Sequence, residues 1–173
     1  ARPWQRAVLA VAMAVWFAAQ PWSGVPLHQG GLLCVCGAAM ASGVVCDLRA
    51  RMITLECCAA LLIAGGAYQL LRHGLIGIAE GAVAATAVLA VCWTANRIAR
   101  KSGGSVGFGD IRCMTALAFA CGPATLLGAA ACYVSACAFS IVGMLTHRLG
   151  RRDGIPMAPF LSIWLAVGTT VLG

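Results

Sequence analysis

The stretch Ile111–Leu145, IRCMTALAFACGPATLLGAAACYVSACAFSIVGML, decides the fold. Apart from Arg112 it is uncharged, and it has no polar break. Read as one helix, it exceeds by roughly 10 to 15 residues the length that crosses a bilayer once. Gly122-Pro123 lies inside it, and proline removes a backbone hydrogen bond and disrupts a helix at such a point. The choice is between one overlong helix and two shorter ones, and the surrounding charges decide it.

Outward from this stretch, similar apolar runs recur. Ala7–Gln20, Gly31–Cys46, Ile53–Leu71 and Leu75–Ala95 precede it, and Ile155–Val171 follows. With Ile111–Leu126 and Leu127–Leu145 taken separately, about seven spans are expected, or six without Ala7–Gln20. Several are shorter than the roughly 20 residues a crossing prefers, so they must extend into flanking polar residues or sit in thinned bilayer. With seven spans and the N-terminus inside, the cytoplasmic segments hold Arg2, Arg6, Arg49, Arg51, Arg97, Arg100, Lys101, Arg112, Arg148, Arg151 and Arg152, and only Arg72 falls outside. A single crossing by Ile111–Leu145 would move the last cluster to the outer face. The positive-inside rule therefore favours two crossings around Gly122-Pro123. The expected location is the inner (cytoplasmic) membrane, multi-pass, with a cytoplasmic N-terminus.

Composition agrees with this pattern. Of 173 residues, 61% are hydrophobic and 10% charged, with a mean hydropathy of +0.91. A soluble domain has roughly a quarter of its residues charged, so here too few polar side chains remain to face water. The expected fold is an all-α, polytopic transmembrane helix bundle, a single domain over 1–173. Helices are expected because a backbone in lipid must satisfy its own hydrogen bonds; a β-barrel would show short alternating stretches instead. The net charge of +7 follows from the positive-inside rule, and no nucleic-acid partner is implied. The first run ends at Gln20-Pro21-Trp22 without a small-x-small site, so no cleavable signal peptide is expected. Trp4, Trp22 and Trp93 fall near span ends, where aromatic belts sit. Gly77-x-x-x-Gly81 reads as close helix packing, not as evidence for a dimer.

The ten cysteines lie in or at the ends of apolar runs and form no CxxC pair. They read as small apolar packing residues. His28, His73 and His147 are far apart and lack ligand spacing, so neither a metal nor a cofactor is expected.

Five carboxylates remain: Asp47, Glu56, Glu80, Asp110 and Asp153. Acids at the edge of a hydrocarbon layer are costly and are functional candidates by default. Asp47 ends the second span in VVCDLRAR, and Asp110 begins the fifth in GFGDI. The charge-based topology puts both at the cytoplasmic boundary. Two carboxylates close together cannot both ionise easily and so share a proton, which suits a peptidase that activates water with one and protonates the scissile carbonyl with the other. Gly107 and Gly109 are expected to let the backbone approach a substrate or adopt positive φ. Position alone leaves a second reading open, in which both acids are interfacial helix-end residues beside Arg49 and Arg112, with Asp110 favoured by its own helix dipole. Glu56 and Glu80 read as groups packed in the bundle or lining a path, and Asp153 as a solvated turn charge.

Three segments in order carry a resemblance: Asp47-Leu48-Arg49-Ala50-Arg51-Met52-Ile53, Gly107-Phe108-Gly109-Asp110 and Ile155-Pro156-Met157-Ala158-Pro159-Phe160-Leu161. Together they resemble the type IV prepilin peptidases, a family of GxGD membrane aspartyl proteases, over roughly Gly31 to the C-terminus. The resemblance implies that Asp47 and Asp110 are the catalytic pair. By the same resemblance Gly107, Gly109, Arg49, Arg112, Pro156 and Pro159 belong to the active-site motifs. It also implies a prepilin or pseudopilin precursor as substrate, presented from the membrane lipid. The larger members carry a cytoplasmic methyltransferase insert with two CxxC pairs. This chain has neither, and so looks like the short, peptidase-only forms of the Flp/Tad type. It departs from the family at Thr54-Leu55, where Pro-Asn is usual, and at Arg112, where Lys is usual. A small proton-coupled transporter or channel using the aspartates as relay groups is the competing reading. A presenilin-type protease is disfavoured, since Cys46 stands where a Tyr precedes the first Asp and no Pro-Ala-Leu segment occurs. A structural pilus-assembly subunit stays open as a reading if the two acids are not in contact.

Overall fold

The structure is a computed structural model, and it describes residues 26–101, 107–146 and 155–170. Ala7–Gln20, Asp153 and the Arg148–Arg152 cluster lie outside the described residues, as do Arg2, Arg6, Trp4 and Trp22. All regular structure among the described residues is helical: α1 (Leu27–Ala50), α2 (Leu55–Lys101), α3 (Phe108–Cys121), a 3-10 turn (Gly122–Ala124), α4 (Thr125–Leu145) and α5 (Ala158–Thr170). Three helical stretches are long and apolar enough to cross a membrane: Leu27–Ala50, Leu55–Lys101 and Phe108–Leu145. The helix Ala158–Thr169 is apolar but shorter.

Two of those three stretches turn back on themselves, and each does so at a glycine. Gly74 takes φ 64, ψ −147 inside α2, a conformation that a side chain disfavours. Its effect is visible nine residues before it and seven after. A Cβ at Gly65 would lie 2.4 Å from Ala120 Cβ, and one at Gly81 would lie 2.6 Å from the Phe119 carbonyl. A straight helix would hold Gly65 and Gly81 about 24 Å apart. The chain therefore reverses at Gly74, and both arms of α2 lie against α3.

The second reversal resolves the stretch Ile111–Leu145. Gly122 has φ 53, ψ −127 and ends α3, with Pro123 in the 3-10 turn that follows. Beyond it Tyr133 Oη donates to Met114 Sδ at 3.3 Å, although a straight helix would separate those residues by about 28 Å. The single-helix reading is excluded. The turn is held from the side by Gln69, whose Nε2 donates to the Ala120 carbonyl at 2.8 Å.

The arms pack around α3, which is buried nearly all round its circumference at Ile111, Cys113, Met114, Ala116, Leu117, Ala118, Ala120 and Cys121. Met40, Leu61, Leu117, Leu161 and Trp164 fill the centre. Outward lie exposed apolar side chains such as Ile63, Ile76, Val83, Leu126 and Val134, more than a water-facing monomer leaves uncovered. Helices in lipid associate by close contact of small residues, and the glycines supply it. Gly77 meets the Gln69 carbonyl and Gly81 meets Phe119, so this glycine pair packs within the chain.

The close contacts make a test of the packing. Gly65→Ala and Gly81→Ala insert a methyl into backbone that cannot yield, and each should cost about 1 to 3 kcal/mol. Gly30, where nothing lies within 4 Å, serves as the control. Thermal unfolding of detergent-solubilised protein should show clear losses for the first two and no loss for Gly30→Ala. Equal behaviour of all three would refute the arrangement around α3.

Candidate active site

Asp47 is carried inward by the face of α1 on which it falls. Leu33, Cys36, Met40, Gly43, Val44 and Asp47 are all buried, at the three- and four-residue spacing of one helix stripe. Asp47 is only 6% exposed. The helix stops just after it: Arg51 adopts the left-handed conformation (φ 52, ψ 40), and its N–H donates to the Asp47 carbonyl. A carboxyl buried this deeply needs a donor. Its Oδ2 accepts the backbone N–H of Ala158 at 3.0 Å, from the first residue of α5.

Asp110 stands in the first turn of α3. Gly107 caps that helix, and the Ile111 N–H donates to its carbonyl at 3.2 Å. The Asp110 carboxyl folds back over Gly107, so that a Cβ there would lie 3.1 Å from Oδ2. The expected positive φ is corrected by the structure. Gly107 is extended (φ −60, ψ 136), and the glycines with positive φ among the described residues are Gly74 and Gly122. Room for a carboxyl, not backbone freedom, is what glycine supplies at 107. Gly109 differs again: a Cβ there would meet Ile53 at 3.4 to 3.5 Å, an ordinary contact.

That contact joins the two acidic segments. Ile53 follows Asp47 in the linker between α1 and α2, and it lies under the glycine next to Asp110. Thr54, at the site of the departure from Pro-Asn, caps α2, with its Oγ1 facing the Cys57 N–H at 3.4 Å; a threonine in this place satisfies one of the orphan amides of a helix start. Asp47, near the end of α1, and Asp110, in the first turn of α3, are thereby brought to the same end of the bundle. At the same end of the bundle Trp93, late in α2, meets Phe108 edge-on at 6.4 Å. The opposite end carries the start of α1, where Gln29 reaches the Leu71 carbonyl, and the turn at Gly74.

The other candidates are placed unequally. Arg49 is exposed in the last turn of α1. Arg112 is exposed as well, with its guanidinium 5.8 Å from the centre of the Phe108 ring. Pro156 precedes α5 and Pro159 is its second residue, both half-buried. Glu56 is exposed in the first turn of α2. Glu80 is at the far end, where it lines a cavity of about 230 Å³ with Arg72, His73 and Gln69.

All ten cysteines are free thiols. Cys57 donates to the Ala39 carbonyl at 3.0 Å, and Cys113 is buried against Met40 Sδ at 3.9 Å and against Cys58. Among the described residues no three His, Cys, Asp or Glu side chains stand together as a metal site would require. Ala158 and Ile53 are the participants that sequence reasoning did not single out as site residues. Both lie inside the quoted segments, but their contributions are a backbone amide and a packing surface, which residue type does not announce.

The profile described as the type IV leader peptidase family matches residues 32–171. No curated protein and no solved structure matches the chain.

The two glycines beside Asp110 should respond differently to one methyl group. Gly107→Ala pushes on the carboxyl, whereas Gly109→Ala fits. In infrared spectra of protein with isotope-labelled aspartate, the Asp110 band can be identified by its loss in Asp110→Asn. It should shift in Gly107→Ala and stay in place in Gly109→Ala. A shift in the second variant alone would show that the carboxyl does not lie over Gly107.

Proposed function

The chain belongs to the type IV leader peptidase family, and on that footing we propose that it is a membrane aspartyl endopeptidase that removes the leader of a type IV prepilin of the Flp type at the cytoplasmic membrane face. Asp47 and Asp110 are its catalytic pair. One observation carries this reading: two acids from distant parts of the sequence are brought to one end of the bundle, where Ile53 of the Asp47 segment lies against Gly109 beside Asp110, and Asp47 is buried and held by a backbone amide. Water attacks the scissile carbonyl as one carboxylate takes its proton and the other carboxyl protonates the carbonyl oxygen, and the roles reverse as the amine leaves.

The position of the pair suits a prepilin as substrate. A prepilin has a short basic leader, a glycine before the cleavage point and a hydrophobic helix after it. That helix can approach through the lipid and present its junction at the aspartate end. The Arg and Lys residues near this end, Arg49, Arg51, Arg97, Arg100, Lys101 and Arg112, favour a cytoplasmic placement, and a seven-span topology with the N-terminus inside keeps all of them on that side. A transporter reading would need a polar route from the pair to the far end. The interior between them is filled by Leu33, Met40, Leu61 and Leu117, which argues against it.

Asp47→Asn and Asp110→Asn should each reduce cleavage of a reconstituted prepilin by a factor on the order of 10³ or more, with the double variant no worse than either single, because members of one catalytic unit are not additive. Membrane insertion should be unchanged. Glu56→Gln and Glu80→Gln should stay within about tenfold of the parent by the same logic. Substantial cleavage by either Asn variant would refute the aspartyl mechanism. The topology has its own measurement: single cysteines placed at 49, 101 and 151 in a cysteine-free background should label only from the cytoplasmic side, and one at 72 only from outside. External labelling at 151 would overturn the seven-span assignment.

A further inference from the structure

The first turn of α5 has one amide to give, and it gives it to Asp47. A helix leaves its first four N–H groups without intrahelical partners. In α5, Pro159 has no N–H, and the amides of Phe160 and Leu161 both donate to the Met157 carbonyl, at 3.0 and 3.1 Å. The Ala158 amide remains. It meets Asp47 Oδ2 at 3.0 Å in a buried contact, and Ala158 itself is 0% exposed, so water does not compete for the bond. The positive end of the α5 dipole adds to the same preference for a carboxylate.

Asp110 is held differently. It is half-buried, its carboxyl lies over Gly107, and no hydrogen-bond donor among the described residues reaches it. The two carboxyls thus stand in unlike surroundings, one bound by an amide and the other without a donor among the described residues. Unlike surroundings are what separate the acid from the base in such a pair.

We infer that the Ala158 backbone amide is a positioning group that assigns the two roles: it holds Asp47 as the carboxylate that takes the proton of water, and leaves Asp110 as the carboxyl that donates to the scissile carbonyl. The inference rests on the aspartyl peptidase reading above. With Oδ2 engaged, Oδ1 of Asp47 receives the proton as the water oxygen bonds to the carbonyl carbon. The Asp110 proton goes to the carbonyl oxygen and a neutral diol forms. In breakdown Asp47 returns its proton to the amide nitrogen, the C–N bond breaks with its electron pair going to nitrogen, and Asp110 recovers a proton from a diol hydroxyl. One water is consumed, and both carboxyls end as they began.

The amide can be removed without changing any charge. Ala158→Gly keeps the N–H. Ala158→Pro deletes it, at a first helical position that proline suits. The titratable groups at this end are unaltered: Asp110, Arg112 and Cys113 on α3, Cys57 and Cys58 on α2, and Cys46 and Arg49 on the helix of Asp47 itself. Cleavage of a synthetic peptide with a basic leader, a glycine at the junction and an apolar helix, by the full chain in liposomes, is measured against pH. Losing a donor to the charged form makes a carboxylate harder to ionise. The acid limb of Ala158→Pro should therefore move to higher pH. Its kcat should fall about tenfold or more with KM little changed, and Ala158→Gly should follow the parent. Coincident acid limbs for the two variants overturn the inference.

Should Ala158→Pro fail to insert, isotope-edited infrared spectra decide with variants that leave α5 intact. Over the working pH range the protonated-carboxyl band should vanish in Asp110→Asn and persist in Asp47→Asn. The reverse pattern overturns the assignment. If both Asn variants still cleave the peptide, it is the aspartyl reading that has failed. If neither cleaves and the infrared pattern is reversed, only the role assignment has.

Discussion

A carboxyl that has been carried under a protein surface must find a donor there, and in this chain the requirement ties together residues 111 positions apart. The stripe of buried residues on α1 leads without interruption to Asp47, so the helix that packs best against its neighbours also buries an acid. Leaving that acid unpaired would cost more than most single contacts stabilise. The Ala158 amide meets the need, and in doing so it sets where α5 begins relative to the end of α1. The helix starts of α2, α3 and α5 and the end of α1 are gathered at one end of the bundle, with Thr54 capping α2 and Gly107 capping α3. The polar groups of four helix ends are thereby concentrated in one place, and the rest of the interior is left to apolar side chains.

The remainder of the fold is an answer to packing helices where apolar burial gives little preference for one helix over another. Lipid tails are as apolar as leucine, so association depends on how closely backbones approach. Gly65 and Gly81 bring both arms of α2 against Phe119 and Ala120 of α3. On the other side of α3, a Cβ at Gly128 would lie 2.4 Å from Trp164, and one at Gly168 would lie 2.5 Å from Cys121 Sγ. These glycines are of two kinds. Gly74 and Gly122 turn the chain by adopting positive φ, and Gly65, Gly81, Gly128 and Gly168 let helices touch.

The fold was legible in the sequence to the extent that it depends on solvent and segment length. The apolar runs from Gly31 onward correspond to α1, the two arms of α2, α3, α4 and α5, with ends that shift by a few residues: the fourth run extends to Lys101, where Ala95 was expected. The reversal inside Ile111–Leu145 was readable from charge and from Gly122-Pro123. Of the two properties read for the glycines beside Asp110, positive φ is absent at both. A glycine in a motif suggests positive φ, but at 107 the neighbouring carboxyl supplies the reason, and that carboxyl is placed only once α3 has formed.

Composition, segment spacing and the scarcity of acids determined by themselves that this is a helical protein suited to lipid, that its long apolar stretch breaks in two, and that Asp47 and Asp110 are the acids to examine. These properties belong to residue types and their order, because hydropathy, charge and helix length are local quantities. Only the tertiary structure decided that Asp47 faces inward and is bound by the Ala158 amide, that Ile53 packs beneath Gly109, and that Arg112 lies over Phe108. Each of these depends on which surfaces meet after α1, α3 and α5 have packed. The decisive donor, moreover, is a backbone N–H, a group that nearly every residue carries and that becomes particular only through its place at the start of α5.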